Sequence, residues 1–241
     1  MMLYFPGCMA TYRAKDIAKS TIELLKKGGV EFKLLGEDEW CCGSVMLRTG
    51  NIEVGREMIK HNVDAIQKSG VDVVVTSCSG CFRTLKQDYE KMTGSMDFTV
   101  KHVLEILEEL IEQGKLKFPE AKMKVTYHDP CHLGRHSGLY DVPRKILASI
   151  SGLELLEMTR NRRNARCCGA GGGVRAGFKD LSDQMADTRL KEAEETGAEV
   201  LTSACPFCTF ALREAAERNG SKMRVLDLPE LLVEIINKKA G

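Results

Sequence analysis

The chain alternates short runs of apolar residues with longer segments in which apolar residues recur every three or four positions. Short β-branched runs bounded by glycine or turn residues are typical of buried strands, and the longer pattern is typical of amphipathic helices. The short runs predict strands over 2–6, 30–35, 71–76, 122–127, 153–158 and 199–202. The longer segments predict helices over 13–27, 52–68, 82–91, 103–113, 142–150, 178–196, 209–219 and 229–238. Strands that alternate with helices indicate an α/β fold with a mostly parallel sheet.

The second half of the chain repeats the first. Segment 100–111 aligns with 225–236 at an offset of 125 residues, which sets Glu105 against Glu230. Self-similarity at a fixed period indicates a tandem duplication. We therefore predict two homologous α/β domains with short, mostly parallel sheets, related by pseudo-two-fold symmetry. Charge, glycine and proline combine in 113–119 and predict a boundary there, which gives domains 1–118 and 119–241.

The ten cysteines form two copies of one pattern, in which a single cysteine is followed by an adjacent pair and then by a C-x-x-C motif. The first set is Cys8, Cys41, Cys42, Cys78 and Cys81, and the second set is Cys131, Cys167, Cys168, Cys205 and Cys208. In each set the single cysteine and the first cysteine of C-x-x-C come just after a predicted strand. Ligands of α/β sheets collect at the carboxyl ends of strands, where helix N-termini also favour anions. We expect the five thiolates of each set to meet at one edge of their half.

Thiolates are soft ligands for iron–sulfur clusters, zinc or Cu(I). A structural zinc site takes four ligands, and an ordinary cubane cluster takes four cysteines. Each set here has five, including an adjacent pair whose side chains chelate one small ion awkwardly. The count favours a larger cluster in each half but does not give its shape.

Composition and charge narrow the remaining classes. The 241 residues are 43% apolar, 29% charged and 6% aromatic, with a net charge of +1, so nothing favours binding to nucleic acid. The N-terminus lacks the basic start and apolar run of a signal peptide, and no apolar stretch approaches the ~18 residues of a membrane span. We expect a cytoplasmic protein whose thiols stay reduced, which argues against five disulfides.

The two cysteine sets, each with a glycine directly after its adjacent pair (Gly43 and Gly169), resemble the CCG cysteine-rich domain. That domain occurs in tandem in the catalytic subunits of heterodisulfide reductase, in iron–sulfur subunits of glycolate and lactate oxidation systems, and in thiol:fumarate reductase. Segments 128–135 and 167–173 resemble the second domain of the reductases in particular, as found in their B-type subunit or in the C-terminal part of their D-type subunit. The resemblance covers nearly the whole chain, and both sets are complete.

The resemblance implies a function and its cofactors. In the family each complete set holds a non-cubane [4Fe-4S] cluster, and a disulfide is cleaved between the two clusters. We therefore expect two such clusters and an oxidoreductase of methanogenesis that reduces the coenzyme M–coenzyme B heterodisulfide to two thiols. The alternatives are an electron-relay subunit of a glycolate or lactate dehydrogenase, a component of a thiol:fumarate reductase system, and a zinc-bound structural protein.

The resemblance also implies partners. Larger family members carry an N-terminal ferredoxin-like segment, whereas this chain begins at the first predicted strand. We expect electrons to come from a separate ferredoxin-like iron–sulfur protein, the C-type subunit of the reductases, and we expect a flavin-containing subunit in the complex. Any association with a membrane would then run through a partner.

Several other residues are candidates for the site. His132 follows Cys131 directly, and a histidine with a near-neutral pKa can give a proton to a leaving thiolate. The alternative is that His132 only shapes the loop, and His128 and His136 are weaker candidates for the proton donor. The glycine-rich run 169–173 is interpreted as a close backbone approach to a cluster, because it does not fit a phosphate loop.

Arginines near the cysteines are candidates for contacts with an anionic substrate. Arg135 and Arg175 lie nearest the second set in sequence, and we predict them as substrate-binding residues. The basic run 160–166 is open to three interpretations: a solvated loop, a docking patch for an acidic partner, or a guide for an anionic substrate.

Overall fold

Two four-stranded sheets, one in each half of the chain, form the frame of the protein. The computed structural model describes residues 1–94 and 96–238, so the last residues of the predicted second domain, 239–241, lie outside the described range. The strands of the first sheet are β1 (Met2–Tyr4), β2 (Phe32–Lys33), β3 (Val73–Thr76) and β4 (Thr99–His102). The strands of the second sheet are β5 (Met123–His128), β6 (Leu153–Leu155), β7 (Val200–Ser203) and β8 (Arg224–Asp227).

Helices connect the strands of each sheet. The helices of the first half are α1 (Gly7–Tyr12), α2 (Lys15–Lys27), α3 (Ser44–Arg48), α4 (Ile52–Ser69), α5 (Ser79–Arg83), α6 (Tyr89–Thr93) and α7 (Val103–Glu112). The helices of the second half are α8 (Val142–Ala148), α9 (Val174–Gly177), α10 (Lys179–Glu194), α11 (Pro206–Arg218) and α12 (Leu228–Asn237). Among the described residues, no helix is long and apolar enough to cross a bilayer.

The two sheets have the same topology. Their strand orders are β2-β1-β3-β4 and β6-β5-β7-β8, and every pairing is parallel. Parallel neighbours need crossover connections, which here are the helices that cover the sheets. The prediction of two tandem α/β domains is therefore confirmed, and the matching strand orders agree with pseudo-two-fold symmetry. The predicted boundary at 118 falls in the connection between α7 and β5, and its position stays a prediction.

The edge strands β4 and β8 were missed by the hydrophobic pattern. Each has four residues, Thr-Val-Lys-His and Arg-Val-Leu-Asp, which is too short to show a period. Parallel pairing with β3 and β7 holds these strands in place, so the tertiary context decides their structure. Both strands lie at the start of the segment that repeats between the halves. That repeat was the feature of the sequence from which they could have been predicted.

Several helices also differ from prediction: α3 and α9 were not predicted, α11 begins at Pro206 and not at 209, and two predicted helices are interrupted. The helix predicted over 13–27 is preceded by the short helix α1, and the helical conformation is interrupted between the two at Arg13 and Ala14. The helix predicted over 82–91 begins earlier, at Ser79, and passes through a π-helical turn over Thr84–Asp88 before α6. Both corrections lengthen the helical structure next to a cysteine, because Cys8 lies in α1 and Cys78 is the N-cap of α5.

The last helix of each half packs on a helix of the other half. Helix α7 contacts α8, and helix α12 contacts α2. Lys145 pairs with Glu108 at 2.8 Å across the first contact, and the Asn237 amide donates to Glu23 at 2.9 Å across the second. These two contacts bury apolar residues of α7 and α12 between the halves. The two halves thus share one core.

Equivalent capping boxes start α7 and α12. The backbone N–H of His102 donates to Glu105 at 2.8 Å, and that of Asp227 donates to Glu230 at 2.7 Å. The Asp227 side chain is fully buried and accepts a hydrogen bond from the Thr209 hydroxyl at 3.0 Å. Burial raises the pKa of Asp227 well above its ordinary value, so the folded protein favours the protonated carboxyl.

We expect Asp227→Ala and Asp227→Asn to differ in stability. Alanine removes the helix cap and leaves Thr209 without its acceptor, which should cost about 1–2 kcal/mol. Asparagine keeps an acceptor and carries no charge. Because folding raises the pKa of Asp227, its protonated carboxyl stabilises the folded protein at pH values below the unfolded-state pKa. This contribution is lost as pH rises through the folded-state pKa. Asparagine stays neutral at every pH, so Asp227→Asn should lose little stability at pH 7. Midpoints of anaerobic thermal unfolding at pH 5 and pH 7 measure this, and equal losses in both variants would contradict it.

Candidate metal centre

All ten cysteines line one cavity. Its volume is about 50 Å³, and besides the cysteines it is lined by side chains that include Met9, Val45, His132 and Phe207. Four cysteines reach it from the carboxyl ends of the central strands of the two sheets, because Cys8 follows β1, Cys78 follows β3, Cys131 follows β5 and Cys205 follows β7. The adjacent pairs reach it from the loops before α3 and α9. The structure thus brings both sets to one place, although a role in metal binding stays a prediction.

Within each set the sulfurs are close neighbours. Cys8 Sγ lies 3.8 Å from Cys41 Sγ, and Cys168 Sγ lies 3.2 Å from Cys208 Sγ. The Cys78 and Cys205 thiols lie close enough across the two halves to shift each other's pKa, upward for Cys78 and downward for Cys205. None of the ten is in a disulfide: Cys8, Cys41, Cys131 and Cys167 are half-buried, and the other six are buried.

Each set combines thiols of raised pKa with at least one of lowered pKa: Cys41 in the first set, and Cys167 and Cys205 in the second. Hydrogen bonds from Cys42 and Cys8 hold the pKa of Cys41 far below its ordinary value. Hydrogen bonds from Cys131 and Cys168 do the same to the pKa of Cys167. Dense groups of thiols with a stable thiolate are suited to soft metals, which replace the thiol protons on binding. The donor set therefore fits a metal–sulfur centre in each half.

The two sets approach each other through the C-x-x-C turns. The Ser79 hydroxyl donates to the Ala204 carbonyl at 2.5 Å, which ties the turn of the first half to the end of β7. Gly80 lies against the other half as well, because a Cβ added there would lie 3.6 Å from His132 Nδ1. Contacts of this kind hold both sets against a single shared space.

The glycine after each cysteine pair is required by packing. Gly43 and Gly169 both have φ near +79°, which L side chains rarely adopt. A Cβ on Gly43 would lie 3.2 Å from the Gly55 carbonyl oxygen, and one on Gly169 would lie 2.8 Å from the Ser182 carbonyl oxygen. These glycines let the cysteine pair turn back over α4 in one half and over α10 in the other.

The predicted histidines occupy different surroundings. His132 lines the cavity, and burial lowers its pKa to about 4. The His136 ring packs edge to face on it with centroids 5.3 Å apart, but His136 is exposed. His128 is fully buried, and one of its ring nitrogens lies within 4.8 Å of both Cys168 Sγ and Cys208 Sγ. Sequence alone ranked His132 first, and the structure also brings His128 to the second set.

The predicted arginines lie outside the shared cavity. Arg135 donates to the Ala165 carbonyl and lines an open cleft of about 460 Å³ beside Cys167, together with Arg160 and Arg166. Arg175 is paired with Glu214 and stacks over the ring of Phe210. The basic run thus forms one wall of a cleft at the second set, whereas the charge of Arg175 is already matched.

Two buried polar residues beside the cysteines were missed. Asn62 on α4 bonds to the backbone at Trp40 and Cys41 and to the hydroxyl of Tyr89. Arg189 on α10 has no exposed side-chain surface and donates to His128. Both lie on amphipathic helices where polar residues are ordinary, so their position in sequence carried no signal. Only the packing of the helix under the cysteine pair reveals them.

Fold and site together define a tandem α/β protein whose two halves direct equivalent cysteine sets at one cavity. The chain belongs to the cysteine-rich domain family, designated CCG, whose profile matches residues 2–86 and 125–213. Each match contains all five cysteines of its half and strands of its sheet, but ends before the edge strand β4 or β8.

Individual relatives are longer than this chain. It is 44% identical over 240 residues to the D-type subunit of the dihydromethanophenazine:CoB–CoM heterodisulfide reductase of Methanosarcina barkeri, covering 98% of this chain and 59% of that protein. It is 34% identical over 230 residues to the B-type subunit of the fumarate reductase (CoM/CoB) of Methanothermobacter marburgensis, covering 95% of this chain and 45% of that protein. A crystal structure of a hypothetical protein from Helicobacter pylori shares the fold, with a TM-score of 0.69 at 11% identity over 99% of this chain and 49% of the other.

We expect Gly169→Ala to impair metal binding by the second set. The added Cβ would lie 2.8 Å from the Ser182 carbonyl oxygen at a backbone angle that alanine disfavours, so the loop that carries Cys167 and Cys168 must move. Gly171→Ala is the matched control, because a Cβ there has no atom within 4 Å. Metal analysis of anaerobically purified protein should show a loss of about half in Gly169→Ala and little in Gly171→Ala. Full loading of Gly169→Ala would contradict this account of the motif.

Proposed function

We propose that this chain is an iron–sulfur catalytic subunit that reduces a disulfide to two thiols, and that the coenzyme M–coenzyme B heterodisulfide is its substrate. One observation carries the proposal: two complete five-cysteine sets line the same cavity. Reduction of a disulfide takes two electrons and two protons, and two adjacent one-electron centres match that requirement. The identity with a heterodisulfide reductase subunit supports the choice of substrate.

The proposed cofactors are two [4Fe-4S] clusters of the non-cubane type. The first set would hold one cluster and the second set the other, with five thiolates available to each. When bound, the clusters would supply electrons to the sulfur–sulfur bond, and the protein would supply position, protons and shielding from water. Met9, Val45 and Phe207 give the cavity an apolar lining, which suits the low-polarity surroundings in which charge interactions are strong.

His132 is the proposed proton donor. It is the histidine that lines the shared cavity, and the loop after β5 holds it next to Cys131. The Ser137 hydroxyl donates to the His132 carbonyl at 2.8 Å and fixes that loop. Burial lowers the pKa of His132 to about 4, well below the near-neutral value expected from the sequence, so the resting imidazole is neutral at pH 7 and can hydrogen-bond to a developing thiolate through its one N–H. To protonate that thiolate the ring must first take up a proton from solvent, which nearby negative charge such as that of Cys205 favours.

Substrate anions have one well-supported candidate. Arg135 lies with Arg160 and Arg166 along the cleft beside Cys167. Arg160 and Arg166 share the carboxylate of Glu192, so these three arginines keep a net positive charge that can guide an anion towards the second set. Arg175 has weaker support, because its pairing with Glu214 leaves it little capacity for another anion. We therefore assign the recognition role to Arg135 and regard Arg175 as a support between α9 and α11.

The chain is proposed to work within a complex. Both relatives from methanogens are named as subunits, and this chain spans 59% and 45% of their lengths. We propose that a ferredoxin-like iron–sulfur subunit supplies the electrons and that a flavin-containing subunit stands earlier in the electron path. The resemblance to the reductases supports both partners.

A second function uses the same site in reverse. The relative from Methanothermobacter marburgensis is part of a fumarate reductase (CoM/CoB), and such a protein would oxidise two thiols to a disulfide. Assays in both directions, with a reduced dye and with an oxidised dye, separate the two proposals. A fully loaded chain that does neither would favour the electron-relay alternative.

We expect about eight irons and matching sulfide per chain, four for each [4Fe-4S] cluster. Cys41→Ser and Cys168→Ser should each lose about half of the iron, because each set lies within one half of the chain. Each variant is the control for the other. Iron and sulfide analysis with electron paramagnetic resonance measures this. About four irons in fully loaded protein, or zinc in their place, would contradict the proposal.

We expect His132→Ala and His132→Gln to keep full iron and to lower disulfide reduction by on the order of 10²-fold, the low end of general-acid contributions. His136→Gln is the comparison, since this ring is an exposed neighbour of His132. Turnover with a low-potential dye measures the effect. Unchanged turnover of both His132 variants at full iron would leave His132 a role in shaping the loop, and loss of iron would make it a structural support.

A further inference from the structure

The two halves place different residues at equivalent positions beside their cysteines. Phe5 in the first half and His128 in the second both stand three residues before the single cysteine. Asn62 and Arg189 are equivalent as well. Asn62 lies seven residues after Gly55, which packs on Gly43, and Arg189 lies seven residues after Ser182, which packs on Gly169. The scaffold is thus nearly symmetric, whereas the polar groups against its two cysteine sets are not.

The first half surrounds its cysteines with neutral groups at these positions. Phe5 is fully buried and has no polar atom in its side chain. The Asn62 amide donates to the carbonyls of Trp40 and Cys41 at 3.2 and 3.1 Å and to the Tyr89 hydroxyl at 3.0 Å. These hydrogen bonds hold the loop before the cysteine pair in place, and the Asn62 side chain that makes them is uncharged.

The second half has a buried cation instead. Arg189 donates its Nε–H to His128 Nδ1 at 3.0 Å and its Nη1 hydrogens to Glu192 at 2.7 Å and to the Arg160 carbonyl at 2.8 Å. Its Nη2 atom is buried and has no hydrogen-bond partner among the described residues. Glu192 also pairs with Arg166 at 2.7 Å and with Arg160 at 3.8 Å, so one carboxylate is shared by three guanidinium groups. The group as a whole keeps positive charge.

Arg189 also fixes which nitrogen of His128 carries the proton. A guanidinium cannot accept a hydrogen bond, so His128 Nδ1 must be the acceptor, and the proton of the neutral ring is on Nε2. A ring nitrogen of His128 lies within 4.8 Å of the sulfurs of Cys168 and Cys208. The second set therefore has a polar ring beside it and a buried cation behind that ring, whereas Phe5, the equivalent residue of the first half, is apolar.

Positive charge and N–H groups near cluster sulfurs favour the reduced, more negative form and raise the reduction potential. We propose that Arg189 and His128 make the second-half centre the more easily reduced of the two, so that it takes the first electron from a low-potential one-electron donor. In that step the donor loses one electron and the centre gains one, and no bond is made or broken. Arg189 is a positioning residue that acts through His128, and the inference rests on the proposed iron–sulfur function.

An anaerobic redox titration of the full chain, followed by electron paramagnetic resonance without any disulfide present, tests this. The Cys41→Ser variant, which keeps the second set intact, identifies the signal of the second centre. In Arg189→Gln the reduced-to-oxidised ratio of that centre at a fixed potential should fall at least tenfold, about 59 mV for one electron, while the first centre is unchanged. Arg189→Lys, which keeps the charge, should shift it less. His128→Phe, the residue of the first half, should shift it in the same direction as Arg189→Gln.

Arg218→Gln is the matched control, because Arg218 also pairs with carboxylates of α10 but on its exposed side. Neither potential should move in it. The inference is overturned if the first centre is the more easily reduced in the unmodified chain, or if Arg189→Gln and His128→Phe both keep the original potential at full iron. If Arg189→Gln fails to load, His128→Phe decides. If the chain binds two centres but reduces no disulfide, that result contradicts the proposed substrate and leaves the inference about the two potentials standing.

Discussion

The whole site depends on where parallel strands end. A parallel sheet directs the carboxyl ends of its strands to one edge, and here the two central strands of each sheet carry a cysteine just beyond that edge. The contacts of α7 with α8 and of α12 with α2 hold the two halves together, and the hydrogen bond from Ser79 to the Ala204 carbonyl joins them beside the cysteines. Both sets line the cavity, so the cavity depends on these contacts between the halves.

The spacing of the cysteines follows from this geometry. The single cysteine and the C-x-x-C motif come from neighbouring strands, but the adjacent pair comes from a long loop with no strand to anchor it. Its anchor is the helix beneath, which Gly43 and Gly169 allow the backbone to approach. The buried Asn62 holds the loop in the first half through the Cys41 carbonyl. The motif is thus as much a packing motif as a ligand motif.

Much of the fold and the whole set of candidate thiols could be predicted from the sequence. Six strands had enough β-branched and apolar residues to be recognised, and duplication implied that both halves share one topology. The strands β4 and β8 were missed because Thr-Val-Lys-His and Arg-Val-Leu-Asp owe their structure to the neighbouring strand. Residue types that are common everywhere gave no signal either: Arg189 became visible as a site residue only through its burial against His128.

Duplication and divergence have different consequences for the two halves. Equal topology brings two equivalent cysteine sets to one cavity, which suits the proposed two-electron reaction. The polar and charged residues beside the two sets differ, and this asymmetry extends to the surface. The cleft beside Cys41 has Glu37, Glu39 and Trp40 along its wall, whereas the equivalent cleft beside Cys167 has Arg160 and Arg166. Under the proposed function, the two unlike halves of a disulfide would meet different side chains at the two cysteine sets, which favours one orientation of the substrate over the other.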